Sequence, residues 1–162
     1  MTERKRGTFV VTHASEASAV LQDAVDSQIH TVESPPELDV GDVLEAIIEP
    51  VPPMNATWRI VEITEQRDVS IEQSAEPPTR QAVETASEQE IGELACIERA
   101  GTGELHVITI PNGHAEQAVA DVLDDETGLT ARAARLGVDR VEVRAANGDG
   151  DETGLVSVRY LP

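Results

Sequence analysis

Gln73-Ser74-Ala75-Glu76-Pro77-Pro78 is the stretch on which the fold turns. It is polar, and its Pro-Pro pair favours extended backbone in the preceding residues, as in a linker between compact units. Before it the chain reads as strands and turns; after it alanine-rich helical sequence begins. The expected organisation is therefore a small β-barrel domain over 1–74, a linker and helix start over 75–86, and an α/β domain over 87–162. The fold class is α+β.

Upstream, Gly7–Thr12 is rich in β-formers. Ala19–Leu21 and Ile29–Val32 flank the polar turn Asp23–Ser27 as a hairpin, and Ser34-Pro35-Pro36 ends it. Asp39-Val40-Gly41-Asp42 is a turn into a strand over Val43–Glu49, which Val51–Asn55 breaks. Thr57–Thr64 alternates as another strand, and Val69–Ile71 continues the meander. Short strands at close spacing without helices predict a small antiparallel, OB-like barrel.

Downstream, Ser87-Glu88-Gln89-Glu90 has capping-box spacing, and Ile91, Leu94, Ala95 and Ile97 recur at helical intervals. They predict a helix, starting as early as Thr79 and ending at Ala100-Gly101. Glu104–Ile110 is nearly continuously apolar, the pattern of a strand buried on both faces. Helices follow over His114–Leu123 and Thr127–Leu136, the second closed by Gly137. Val138–Ala145 alternates, and Leu155–Leu161 is the last strand. The resulting order, α-β-α-α-β-β, predicts a three-stranded sheet with helices on one face as a C-terminal α/β sandwich.

Charge and composition bound the setting. The chain has 162 residues, with 31 Asp+Glu against 12 Lys+Arg and a formal net charge of -19. Lys5 is the only lysine. Hydrophobic residues make up 40%, enough for a core, so this is not a disordered acidic tail. Salt shortens the Debye length to about 3 Å at 1 M and screens carboxylate repulsion. An ordered, lysine-poor acidic chain therefore points to molar salt. No apolar run approaches the roughly 20 residues of a membrane span. The basic start, Met1–Arg6, is not followed by the about 7–15 apolar residues of a signal peptide. Cys96 is the single cysteine, which excludes an internal disulfide. A cytoplasmic protein is expected.

The recognised catalytic motifs are absent: no Gly-x-Ser-x-Gly, no His-Glu-x-x-His, no Gly-x-x-x-x-Gly-Lys. Asn147-Gly148-Asp149-Gly150-Asp151 resembles the start of a calcium loop, but Glu152 and Val158 stand where that loop needs Gly and Glu. Cys96, late in its expected helix, reads as a small buried hydrophobe and not a catalytic thiol. His106, in an apolar strand, reads as a hydrogen-bonded core histidine. No catalytic residue, metal site or cofactor is assigned. The one constellation singled out is cationic. Arg132 and Arg135 are a helical turn apart, Arg140 and Arg144 share a strand face, and Arg159 lies on the equivalent face of the next strand. These five arginines form a candidate anion or partner face. The competing reading pairs them locally with Asp139, Glu142, Asp149 and Glu152.

Several segments carry a resemblance: Glu76–Gln81, Glu98–Val107, Ala131–Val138, Val156–Pro162 and Gly7–Ala14. Through them the chain resembles an uncharacterised haloarchaeal family of unknown function. The resemblance implies a haloarchaeal cytoplasmic origin and transfers no activity or cofactor. Asp39–Ala46 also looks loosely like the strand entry of OB and S1-type barrels. The expected function is a non-catalytic binding or adaptor protein of a halophilic archaeon, associating with nucleic acid or a ribonucleoprotein. The alternative is a protein-interaction or regulatory subunit acting as a homodimer, with no nucleic-acid contact. Aromatic content of 2% limits base stacking.

Overall fold

The computed structural model describes residues 3–162; Met1 and Thr2, at the head of the basic start, lie outside the described residues. The chain is α+β and mostly strand. It divides into two compact units: Met1–Val69 with Thr127–Arg135, and Ser70–Glu126 with Leu136–Pro162.

The first unit is built from β1 (Lys5–Ala14), β2 (Ser18–Asp23), β3 (Ile29–Glu33), β4 (Asp42–Pro50) and β5 (Trp58–Asp68). Their order, β1-β2-β3-β5-β4 with β4 returning to β1, closes the sheet on itself as a ring. All neighbours are antiparallel except β3 and β5, which meet in parallel at one pair, Val32 and Trp58. Register shifts between Val11 and His13 on β1, and at two points of β4–β5, give the bends that closure needs. Alternation then sends Phe9, Val11, Ala19, Leu21, Val32, Leu44, Ala46 and Ile48 inward as one core. Phe9, Leu21 and Ile48 are fully buried.

Helix α3 (Glu126–Leu136) belongs with the ring. Its Ala131 and Ala134 pack against Val10, Ala24, Val43 and Val69. The small side chains let the helix lie close to the outer surface of β1 and β4. Gly137, at φ +72°, supplies the left-handed residue that ends it.

The second unit is a five-stranded sheet of order β6-β9-β10-β8-β7. The strands are β6 (Ser70–Gln73), β7 (Leu94–Glu98), β8 (Glu104–Ile110), β9 (Arg140–Ala146) and β10 (Gly154–Leu161). Helix α1 (Arg80–Ser87) packs Ala82 and Ala86 on Leu105, Val107 and Leu155. Helix α2 (Ala115–Asp124) lies along β9 and β10.

Three expectations are corrected here. The predicted helix through Ile91–Ile97 is a short helix followed by a strand: α1 ends at Ser87, and β7 pairs antiparallel with β8. The helix starts at the earlier of its two expected points: Thr79 is the N-cap, its hydroxyl accepting from the Ala82 N–H at 3.2 Å. Apolar residues on both faces of Leu94–Glu98 fit either period, and the ladder with β8 decides for the strand. The sheet therefore has five strands, not three. Ser70–Gln73 does not continue the first meander but runs parallel to β9 in the second sheet.

Candidate functional site

The five singled-out arginines divide between the units. Arg132 and Arg135 are on α3, half-buried and exposed respectively, and Arg140, Arg144 and Arg159 are on the second sheet. Register puts Arg159 beside Glu142, and Arg144 two residues further along β9 on the same face. Glu142 is the hub. Its Oε1 accepts from Arg144 Nε at 2.6 Å and from an Arg159 guanidinium nitrogen at 2.9 Å. Arg144 also donates to Glu76 Oε2 at 2.9 Å and to the Pro77 carbonyl at 3.1 Å. Arg140 lies 3.7 Å from Glu72. Burial works against the charge on Glu142, but the two guanidiniums outweigh it and hold its carboxyl below the usual range. Arg144 and Arg159 are thus engaged in fixing β9, β10 and the segment before α1 to one another. Glu142 was among the expected partners; Glu72 and Glu76 were not, because their proximity depends on the parallel strand β6.

A second polar cluster joins the start of β1 to the β2–β3 hairpin of the ring. Lys5 Nζ sits 3.1 Å from Asp23 Oδ2, 3.0 Å from Asp26 Oδ2 and 3.1 Å from His30 Nε2. An ammonium only donates, so Nε2 accepts and the neutral ring carries its proton on Nδ1. His30 is 5% exposed and wedged edge-on between Phe9 and Trp58, with centroids 5.9 and 4.7 Å away. Burial, and then the Lys5 charge, push its pKa down from the ordinary value. Unfolding restores that value, so the unfolded chain takes up the proton first. The His30 contribution to stability is present above about pH 6.5 and is lost as pH falls through the depressed folded value. Denaturant unfolding at pH 7.5 and 5.5 checks this: His30→Gln flattens the fall in stability over that interval. An equally steep fall in the variant contradicts it.

Cys96 is exposed on β7, which corrects its reading as a buried hydrophobe. His106 is the buried, hydrogen-bonded histidine its strand predicts, with Nε2 2.9 Å from Glu104 Oε1 and its ring against Tyr160. Asn147 serves α2: its Oδ1 accepts from the N–H groups of Gly113 and Ala115 at 2.9 and 3.1 Å. Among the described residues no group of three or more potential ligands is placed to hold a metal.

Two grooves open on the ring. One of about 470 Å³ is lined by Ala14, Ser15, Glu16 and residues 35–39; the other, about 690 Å³, lies between residues 39–42 and 66–69. Glu16, Glu37 and Asp39 in the first, and Asp39, Asp42 and Asp68 against the single Arg67 in the second, make both unfavourable to anions. The outer surface of the β2–β3 hairpin differs. Its cross-strand pairs are Ser18 with Glu33, Val20 with Thr31, and Gln22 with Ile29. Only Glu33 is charged, and it accepts from the Thr57 hydroxyl at 3.0 Å. Ile29 is 67% exposed. On a chain of net charge -19, this neutral strip stands out from the outer surface of β5, where Arg59, Glu62, Glu65 and Asp68 are exposed.

Ring, second sheet and sites together define a two-unit α+β protein with a closed five-strand ring and an arginine–carboxylate network. Residues 5–145 match the model of a family of unknown function (DUF5812), and the chain belongs to that family. No curated protein and no solved structure matches it. No helix among the described residues is long and apolar enough to cross a membrane.

Proposed function

We propose that the chain is a non-catalytic binding or adaptor protein of a halophilic archaeon's cytoplasm. In this reading the ring is an OB-like barrel, and it docks on nucleic acid within a ribonucleoprotein through the β2–β3 surface. The observation that carries it is the neutral outer strip of Ser18, Val20, Gln22, Ile29 and Thr31 on a ring of order β1-β2-β3-β5-β4. Five-stranded OB barrels bind through the surface of their second and third strands. Counterion release is largely lost in molar salt, so a partner must be held by hydrogen bonds, apolar contact and shape. A strip with one carboxylate repels a polyanion less than the outer surface of β5, where Glu62, Glu65 and Asp68 are exposed. Phe9 is fully buried and Trp58 packs against His30, so the reading does not rely on base stacking.

Capture of partners by the full chain in about 3 M KCl, with and without nuclease, tests this. Partners that disappear after nuclease treatment fit the reading. One protein partner retained irrespective of nuclease would overturn it and favour a protein-interaction subunit.

A further inference from the structure

We propose that a second copy of this chain docks along the free edge of β7 in an antiparallel register centred on Cys96. This edge belongs to the second sheet and uses none of the ring's residues. β7 ends the sheet order, and its pairing with β8 runs from Leu94–Ile108 to Glu98–Glu104 without a bulge. The Arg99 N–H donates to the Gly103 carbonyl at 3.2 Å, and the Thr109 N–H to the Glu93 carbonyl at 3.3 Å. Alternation in an antiparallel ladder then turns the backbone groups of residues 93, 95, 97 and 99 toward β8. Those of Leu94, Cys96 and Glu98 point away from it.

Edge strands are ordinarily guarded by charged side chains, lysine above all, by proline, by a bulge or by a covering element. Leu94–Glu98 carries one exposed charge, Glu98, but no lysine and no proline, and Leu94 is 53% exposed. A twofold axis at Cys96 places Leu94 opposite the partner's Glu98 and Cys96 opposite the partner's Cys96. Every outward N–H and C=O of the strand is then paired. The same register sets Glu93 opposite the partner's Arg99, twice by symmetry, and Ala95 opposite the partner's Ile97. Sliding the copy by two residues in either direction leaves one outward residue of the strand unpaired and parts the Glu93–Arg99 pair. Charge complementarity and backbone pairing thus select one register and one occupant, a second copy. Self-repulsion at net charge -19 is screened in molar salt, where the pairing is favoured.

Directly opposed residues in a hydrogen-bonded antiparallel pair have Cα atoms about 5.5 Å apart, within the span a disulfide bridges. Diamide provides the probe. It accepts two electrons and two protons, becoming the hydrazine, as the two Cys96 thiols form one S–S bond. In about 3 M KCl the full chain is expected to sediment as a dimer and to give a diamide-dependent, dithiothreitol-reversible covalent dimer. Cys96→Ser abolishes the cross-link and leaves the sedimenting dimer. Arg99→Glu, which sets like charges opposite each other, weakens the dimer a few-fold and by less as salt rises, and adding Glu93→Arg restores it. Far-UV circular dichroism checks that each variant is folded. A wild-type chain that sediments as a monomer, a dimer that diamide does not cross-link, or a charge swap that fails to restore affinity would each overturn the proposal.

Discussion

Glu142→Gln lowers the unfolding free energy by about 3 kcal/mol, as expected for one partner removed from a buried ion group. The Glu142 side chain is 11% exposed, Arg144 11% and Arg159 23%. An amide fills the same volume but cannot neutralise two guanidiniums that already lie mostly out of water. The loss persists in molar salt, because screening acts weakly on buried charges. Acid produces the same loss in the wild type. The folded pKa of Glu142 is depressed, so its contribution is present above the unfolded value and disappears as pH falls through the folded one. Replacing the trio together (Glu142→Leu, Arg144→Met and Arg159→Leu) costs much less, since no buried charge is then left unpaired and Glu76, which loses Arg144, is 73% exposed. Denaturant titration in high salt measures both. A change below about 0.5 kcal/mol for Glu142→Gln, the size of an ordinary surface substitution, would contradict the buried-hub account.

Low salt has the other large effect. Most of the 31 carboxylates lie outside the ion pairs described above, on the exposed surface. Below about 0.1 M their repulsion reaches 10 Å and beyond, which spans neighbouring strands. The expected result is a melting temperature that rises by about 10 °C or more between roughly 0.1 and 3 M KCl. In a chain of this size that equals about 3 kcal/mol. The steepest rise falls below about 1 M, where the Debye length changes most. A melting temperature indifferent to salt over this range would remove the halophilic reading, and with it the argument about how a partner is held.

Much of the fold is legible from local pattern. Gly7–Thr12, Val43–Glu49, Glu104–Ile110 and Leu155–Leu161 have β-rich or alternating sequences bounded by turn residues, and each is a strand or part of one. The helices after Pro111 and Thr127 follow from alanine-rich apolar spacing and from Gly137. What local pattern misses is set by distant partners. Leu94–Glu98 carries apolar residues at both helical and strand intervals, and only β8 decides between them. Ser70–Gln73 is too short to indicate which sheet it joins. Glu142 alternates with Val141 and Val143 as though facing solvent, and its 8% exposure comes from arginines brought in on β9 and β10. The Lys5 cluster joins residues 18 to 25 positions apart, through the pairing of β1 with the β2–β3 hairpin. The arginine constellation was visible as composition; its division between two units was not, because α3 packs with the ring.

The account rests most on the neutral β2–β3 surface as the place where a partner is held. Placing carboxylates there leaves the inward residues Ala19, Leu21 and Val32 untouched, since both altered positions point outward. The deciding measurement is partner capture in about 3 M KCl by the wild type and by a Thr31→Glu, Ile29→Glu double variant of matched melting temperature. The account predicts that the nuclease-sensitive partners are lost at least about tenfold in the variant, the scale of one disrupted interface contact. Capture equal to wild type by the folded variant would contradict it.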